Sequence, residues 1–142
     1  MKSAGVNTYE RLSMEIFLHH IYEYKKGLRR MVLHTAPARH RNKISDKLTG
    51  LGIDFIIDDV NETKINVFFG NPMCIDVIRS FRSLKLSSLS DEQDFILGTL
   101  LGYDTLVQCG RYVQRKGVAG DAVLWEPYRY ATPEKWGRVH VN

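Results

Sequence analysis

Hydrophobic and polar positions alternate along the chain in patterns that predict helices and strands in turn. From about residue 9 to residue 26, apolar and aromatic side chains recur at helical spacing, which predicts a first helix. Gly27 is a suitable end for this helix because glycine readily adopts positive φ. The same stretch is rich in β-forming residues, so a hairpin turning at residues 26–27 is the alternative. Residues 28–35 then predict a strand, and Pro37 the start of a helix.

The middle of the chain predicts two further strands and another helix. Residues 53–60 and 64–69 are apolar runs separated by a short polar segment, which is typical of a hairpin. Asn71 and Pro72 then suit the N-cap and the first position of a helix. The apolar positions that follow would bury one face of that helix against the sheet.

The pattern after residue 90 predicts one long helix that reaches about residue 115. Ser90 and Gln93 match a capping box, in which each side chain accepts a hydrogen bond from the backbone of the other residue. Gly98 and Gly102 are four positions apart and share one face of such a helix. Because a glycine costs about 1 kcal/mol inside a helix, the pair suggests that another backbone packs closely there.

The predicted order of elements is α–β–α–β–β–α–α, followed by a segment with prolines and scattered aromatic residues. This order predicts an α+β fold in which a three-stranded, mainly antiparallel sheet packs helices on one face. We divide the chain into an N-terminal extension (1–13), a single α+β domain (14–116) and an extended C-terminal arm (117–142). Three strands leave sheet edges to cover, which the arm or a second subunit would do.

The composition is that of a small globular protein. The 142 residues suffice for one domain with its own core, and 44% hydrophobic with 25% charged residues excludes a disordered chain. The longest apolar stretch is too short to cross a membrane, and the N-terminus lacks a secretory signal. Cys74 and Cys109 have no metal-site spacing and suit a reduced, cytoplasmic protein. We expect no cofactor, because no glycine-rich phosphate motif is present.

Positive charge is concentrated in one part of a chain whose net charge is +4. Residues 25–47 carry eight basic residues and one acid, smaller basic groups lie at 79–85 and 111–116, and acids collect at 54–62 and 91–94. Such asymmetry can steer an acidic partner, although an unevenly charged, solvated surface is the simpler interpretation. The residues that we expect to bind an acidic partner are Lys25, Lys26, Arg29, Arg30, Arg39, Arg41 and Lys43.

His19, His20 and Glu23 form a His-His-x-x-Glu motif. On a helix these side chains share one side, which suits half a metal site or a carboxylate that orients an imidazole for proton transfer. His34 and His40 stand alone in the sequence, so we assign no metal site and favour structural hydrogen bonding. The alternative is a small metal- or His-dependent enzyme centred on His19, His20 and Glu23, together with His34.

The glycine pair and the aromatic arm suggest an interface between subunits. Large aromatic side chains are the residues that most often anchor interfaces. We therefore predict a homodimer whose interface residues are Gly98, Gly102, Trp125, Tyr128, Tyr130 and Trp136. Basic residues between these aromatics also suit stacking of single-stranded nucleic acid, which is the less favoured alternative.

Three segments of the chain together resemble a known family. They are HHIYEYKKGLRRMVLHT at 19–35, FFGNPMCIDVIRSF at 68–81 and DEQDFILGTLLGYDTLVQCGRY at 91–112. In this order they resemble small bacterial proteins catalogued as domain of unknown function two-thousand-twenty-three. The resemblance implies a compact α+β domain of the bacterial cytoplasm without an established activity. It also implies gene neighbourhoods that contain flavodoxin.

These observations favour a non-enzymatic accessory module that docks an acidic partner protein, with a flavodoxin as the candidate. Flavodoxins are typically acidic around the flavin, so the basic residues would meet that surface with complementary charge. Two alternatives remain: a small enzyme centred on the histidines, and a nucleic-acid binder whose affinity would fall steeply with salt.

Overall fold

The chain folds into five α-helices and three strands within residues 4–117, the part that the computed structural model describes. In order they are α1 (Ala4–Lys25), β1 (Met31–Pro37), α2 (Arg41–Leu51), β2 (Asp54–Asp59), β3 (Lys64–Gly70), α3 (Pro72–Arg79), α4 (Asp91–Leu100) and α5 (Thr105–Lys116). Short 3-10 turns lie at Ala38–His40 and Leu86–Ser88. The predicted α+β class is confirmed.

The three strands form one antiparallel sheet in the order β1-β3-β2. Phe69 of β3 lies opposite Val32 of β1 on one side and opposite Phe55 of β2 on the other. Because both outer strands run antiparallel to β3, they are parallel to each other, and α2 connects them. The three-stranded antiparallel sheet is therefore as predicted, with β1 and β2 as its edges.

Helices cover both faces of this sheet, so the prediction that they pack on one face is wrong. On the first face α1 and α2 bury Phe17 and Ile44 with Val67, and on the second α3 and α4 bury their apolar residues with Phe68. Side chains alternate between faces along a strand, and β3 is apolar at nearly every position. A strand buried on both faces reads as a continuous apolar run, and such a run does not show how many faces are covered.

The first helix begins at Ala4, earlier than the start near residue 9 that its pattern predicts. Residues of the predicted N-terminal extension contact the rest of the fold. Ser13 is buried, and the Glu10 carboxylate lies 3.0 Å from the Arg39 guanidinium. The helix continues through residue 25, which decides against the alternative of a hairpin turning at residues 26–27.

The single long helix predicted after residue 90 is in fact two antiparallel helices. The capping box of Ser90 and Gln93 forms as predicted, with both hydrogen bonds present. The chain then reverses at Gly102, where φ is +82°, and Asp104 caps α5 by accepting a hydrogen bond from the Val107 amide at 3.0 Å. A glycine followed by an aspartate two residues later is a stop and start signal that the apolar periodicity concealed.

None of the helices between residues 4 and 117 is both long enough and apolar enough to cross a bilayer. The predicted C-terminal arm lies at 118–142, outside the described residues. Its proposed packing on the body or on a second subunit therefore stays a prediction.

Candidate functional site

The loop between α1 and β1 carries basic side chains that lack acidic partners. Lys25, Lys26 and Arg30 are exposed, and no carboxylate within residues 4–117 pairs with any of them. The Lys26 ammonium lies 5.6 Å from the centre of the Tyr22 ring. Between these cations, Leu28 is 70% exposed. We name Lys25, Lys26, Leu28 and Arg30 the loop surface.

The backbone of this loop explains why Leu28 is presented to solvent. The Leu28 amide donates to the Glu23 carbonyl and the Gly27 amide to the Tyr24 carbonyl, both at 3.0 Å. Gly27 has φ of +77°, so α1 ends in a Schellman motif with Leu28 as the residue after the glycine. The motif fixes the loop directly after the helix, so its cations project from a rigid turn.

Arg29, between these exposed cations, is partly buried against α1. Its guanidinium lies 3.7 Å from the Glu23 carboxylate and 3.5 Å from Nδ1 of His20. This contact ties the loop to the helix. It also neutralises one of the positive charges that the sequence assigned to partner binding.

The remaining predicted binding residues lie beyond the opposite end of β1. That strand has seven residues and spans roughly 20 Å, at about 3.3 Å per residue. Arg39 is paired with Glu10, and Arg41 donates to Asp59. Lys43 is exposed. The seven basic residues of the prediction therefore form two groups, of which the loop surface has the more unpaired charge.

The basic group at 111–116 is neutralised within the α4–α5 hairpin. Arg111 donates to Asp94 at 2.7 Å, and this bond lowers the pKa of that carboxyl group. Arg115 also contacts Asp94, and two further contacts join the helices. These are Arg115 to Asp91 at 2.8 Å and Lys116 to Glu92 at 3.0 Å. The acids at 91–94 and the bases at 111–116 thus compensate each other.

The His-His-x-x-Glu motif forms one strong contact and one weak one. Glu23 lies 2.9 Å from Nδ1 of His20 and 3.9 Å from Nε2 of His19. The hydrogen bond with His20 lowers the pKa of the Glu23 carboxyl group. Because Glu23 also faces Arg29, the carboxylate joins the helix to the loop, as expected of a structural hydrogen bond.

His34, which is isolated in the sequence, lies beside this motif in the fold, close to His20 as the alternative of a His-centred site requires. Its ring centre is 5.7 Å from that of His20, and its Nε2 is 3.4 Å from the Ser13 hydroxyl oxygen. The side chain is 6% exposed, and burial lowers its pKa to about 4. Nowhere in residues 4–117 do three or more His, Cys, Asp or Glu side chains cluster as metal ligands would.

A cleft of about 520 Å³, which no pattern in the sequence indicates, opens beside the loop surface. One wall is Leu28 with Arg29 and Arg30, and the other is the end of α4 with Tyr103. Cys74 of α3 also lines the cleft. These residues come from three elements that are distant in the sequence, so no local pattern could reveal the cleft.

The predicted interface residues are only partly within the described structure. A Cβ atom on Gly98 would lie 2.1 Å from the Gln108 side-chain oxygen, so the close approach at Gly98 is made by α5 of the same chain. Gly102 lies in the turn after α4, and the single helix face shared by the two glycines does not exist. The remaining predicted interface residues lie outside residues 4–117: Trp125, Tyr128, Tyr130 and Trp136.

Comparison with known proteins finds a family match that covers more than half of the chain. The family model described as "Protein of unknown function (DUF2023)" matches residues 15–115. No curated protein matches the sequence. The matched range contains the loop surface, the histidines and the cleft.

Proposed function

We propose that this chain, which belongs to the DUF2023 family of proteins of unknown function, is a non-enzymatic module that docks an acidic partner protein through its loop surface. The observation that carries the proposal is the set of unpaired cations around the exposed Leu28. The candidate partner is a flavodoxin, as the family resemblance implies, in a bacterial cytoplasm.

Physical chemistry favours the loop surface over the other basic groups as the docking site. Charge that is already paired within a protein contributes little to the field that an outside partner experiences. Unpaired cations, in contrast, steer an acidic surface and orient it. Docking would also remove the exposed Leu28 side chain from water, which favours the bound state. The basic groups near Arg39, Arg41 and Arg111 have acidic partners of their own.

The two alternative functions have less support in the geometry. Glu23, the carboxylate that would orient His20 for proton transfer, also contacts Arg29, which favours a role in fastening the loop to the helix. Nucleic-acid binding usually needs more contacts, since proteins with strong salt dependence neutralise about 6–10 phosphates. The loop surface offers three unpaired cations.

The experiment is a titration of the chain with the flavodoxin from the same genome, at low and at high salt. We expect binding at low salt that weakens on the order of tenfold when the ionic strength rises several-fold, because screening acts on exposed charges. Absence of binding at low salt would contradict the proposal. An elevated ratio of absorbance at 260 to 280 nm in the purified protein would instead favour nucleic acid.

A further inference from the structure

The cleft beside the loop surface is formed by two helix ends of the same kind. α4 ends as α1 does: the Tyr103 amide donates to the Gly98 carbonyl and the Gly102 amide to the Thr99 carbonyl, both at 3.1 Å. This is again a Schellman motif, in which the residue after the glycine is usually apolar and packs on its own helix. Leu28 and Tyr103 occupy that position, and both line the cleft.

A third Schellman motif in the chain shows the usual arrangement. At the end of α2 the Ile53 amide donates to the Leu48 carbonyl, and Gly52 has φ of +68°. Ile53 is 8% exposed, whereas Leu28 is 70% and Tyr103 is 54% exposed. Two of the three motifs therefore present to solvent the side chain that such a motif normally buries, and both do so at this cleft.

The charge of its lining distinguishes this cleft from two other clefts of similar size. No acid lines it, and its charged lining residues are the unpaired Arg30 and Arg29, whose guanidinium also contacts Glu23 outside the cleft. A cleft of about 560 Å³ near Tyr9 contains two glutamates as well as an arginine and a lysine. A cleft of about 530 Å³ near Phe55 has an acid in its own lining, Asp54, which is bonded to the lining residue Arg79.

We propose that the cleft receives a large apolar side chain from the acidic partner, whose neighbouring carboxylates face Arg30. Volumes of about 300–1,000 Å³ are typical of sites that enclose compact ligands, so an aromatic side chain fits. Leu28 and Tyr103 flank this anchor, and the unpaired cations supply the charged rim that interfaces place around such an anchor. This inference rests on the proposed docking function and names the part of the partner that is recognised.

Cys74 provides a test that needs no partner, because it lines the cleft. The probe is 5,5′-dithiobis(2-nitrobenzoate), an anionic aromatic disulfide, compared with the neutral 4,4′-dithiodipyridine. The exchange rate of Cys74 with each reagent is measured on the full chain by peptide mass spectrometry, and again in Cys109→Ser. N-acetylcysteine at high salt, where its own carboxylate is screened, gives the intrinsic ratio of the two rates.

At low salt we expect Cys74 to prefer the anionic reagent about tenfold more than this intrinsic ratio, since a positively charged cleft concentrates anions. Arg30→Gln should remove most of this preference, whereas Arg82→Gln, an exposed arginine outside the cleft, should not. An unchanged preference in Arg30→Gln, a ratio equal to that of N-acetylcysteine, or no reaction with either reagent overturns the proposal.

The second part of the test uses the partner and compares two tyrosines of nearly equal exposure. Tyr103→Ser and Leu28→Ser should each weaken flavodoxin binding about tenfold, as loss of an anchor contact does. Tyr9→Ser, 52% exposed on α1 and outside the cleft, should leave affinity within about twofold. If the native chain binds the flavodoxin and all three variants bind it equally strongly, the cleft contact is refuted but docking is not. If the native chain does not bind the flavodoxin at all, docking itself is refuted.

Discussion

His34 shows how burial determines the chemistry of a single residue. It lies on β1 and packs against α1, in contact with Phe17 and Ser13 and beside His20. Burial is the main cause that lowers its pKa from the ordinary 6.5 to about 4, and the nearby His20 and His40 act in the same direction. At neutral pH the imidazole is therefore uncharged, and it packs as part of the core.

This lowered pKa predicts a loss of stability in mild acid. The unfolded chain protonates His34 near pH 6.5, but the folded chain does so only near pH 4. Between these values the unfolded state binds more protons, so the free energy of unfolding decreases as the pH falls. His40, whose pKa burial also lowers, contributes in the same direction.

The measurement is urea unfolding of the native chain and of His34→Gln at several pH values between 7 and 4. The glutamine does not titrate, so we expect the slope of unfolding free energy against pH to decrease by up to about 1.4 kcal/mol per pH unit, the value for one proton. The same slope in both proteins would show that His34 is not the titrating group.

The sequence predicted well those residues whose partners are close neighbours along the chain. Asn71 accepts a hydrogen bond from the Met73 amide, and Ser90 accepts one from the Gln93 amide, as their positions before apolar runs indicate. Such caps depend on neighbours within three residues. The contact of His20 with His34 joins a helix to a strand, and nothing in the sequence encodes that pairing.

At the scale of elements, the α4–α5 hairpin depends on a close contact between a glycine and a glutamine. Gly98 is buried, and the Gln108 side chain occupies the position that a Cβ atom would take. Gln108 is itself buried on α5. Gly98 thus serves the packing of this hairpin within one chain, a role that sequence spacing could not distinguish from a contact between subunits.

Gly98→Ala should destabilise the protein, because the new methyl group collides with the Gln108 side chain. Displacing a packed side chain typically costs about 1–3 kcal/mol, which exceeds the gain of about 1 kcal/mol in helix propensity. The check is a double-mutant cycle with Gln108→Ala, read by chemical denaturation. In the Gln108→Ala background, Gly98→Ala should become neutral or stabilising, and an equal loss in both backgrounds would rule out the contact.

Among the elements, the sequence indicated the strands and most helices but missed two features of their arrangement. The break between α4 and α5 was concealed because apolar positions continue on both sides of Gly102. The covering of both sheet faces was concealed because β3 is apolar from Val67 to Phe69, a run that does not show how many faces are covered. Both features depend on which elements meet in space, and the periodicity of one segment does not contain that information.

At the scale of the whole molecule, the predicted homodimer rests on the sheet edges and on the arm. β1 and β2 are edge strands, and edges commonly pair with further chain. We expect the full chain to have twice the mass of one subunit in light scattering at tens of micromolar, and a chain ending at Gly117 to be monomeric. A monomeric full chain contradicts the dimer, and a dimeric truncated chain contradicts the role of the arm.

The central claim is that the loop surface docks an acidic protein, and two matched pairs of lysines separate it from a general effect of charge. Lys25 and Lys26 belong to the loop surface, whereas Lys43 and Lys64 are exposed near the opposite end of β1. Reversing either pair to glutamate changes the net charge by the same amount. Any difference between the double variants therefore reports on position.

The most direct measurement is the dissociation constant of the flavodoxin complex for these two double variants at an ionic strength of about 0.1 M. The account predicts that Lys25→Glu with Lys26→Glu weakens binding by at least about tenfold, because repulsion replaces attraction at the contact. Lys43→Glu with Lys64→Glu should weaken binding by about twofold or less, since those charges lie beyond a Debye length of about 10 Å. Equal weakening by both variants would contradict the account.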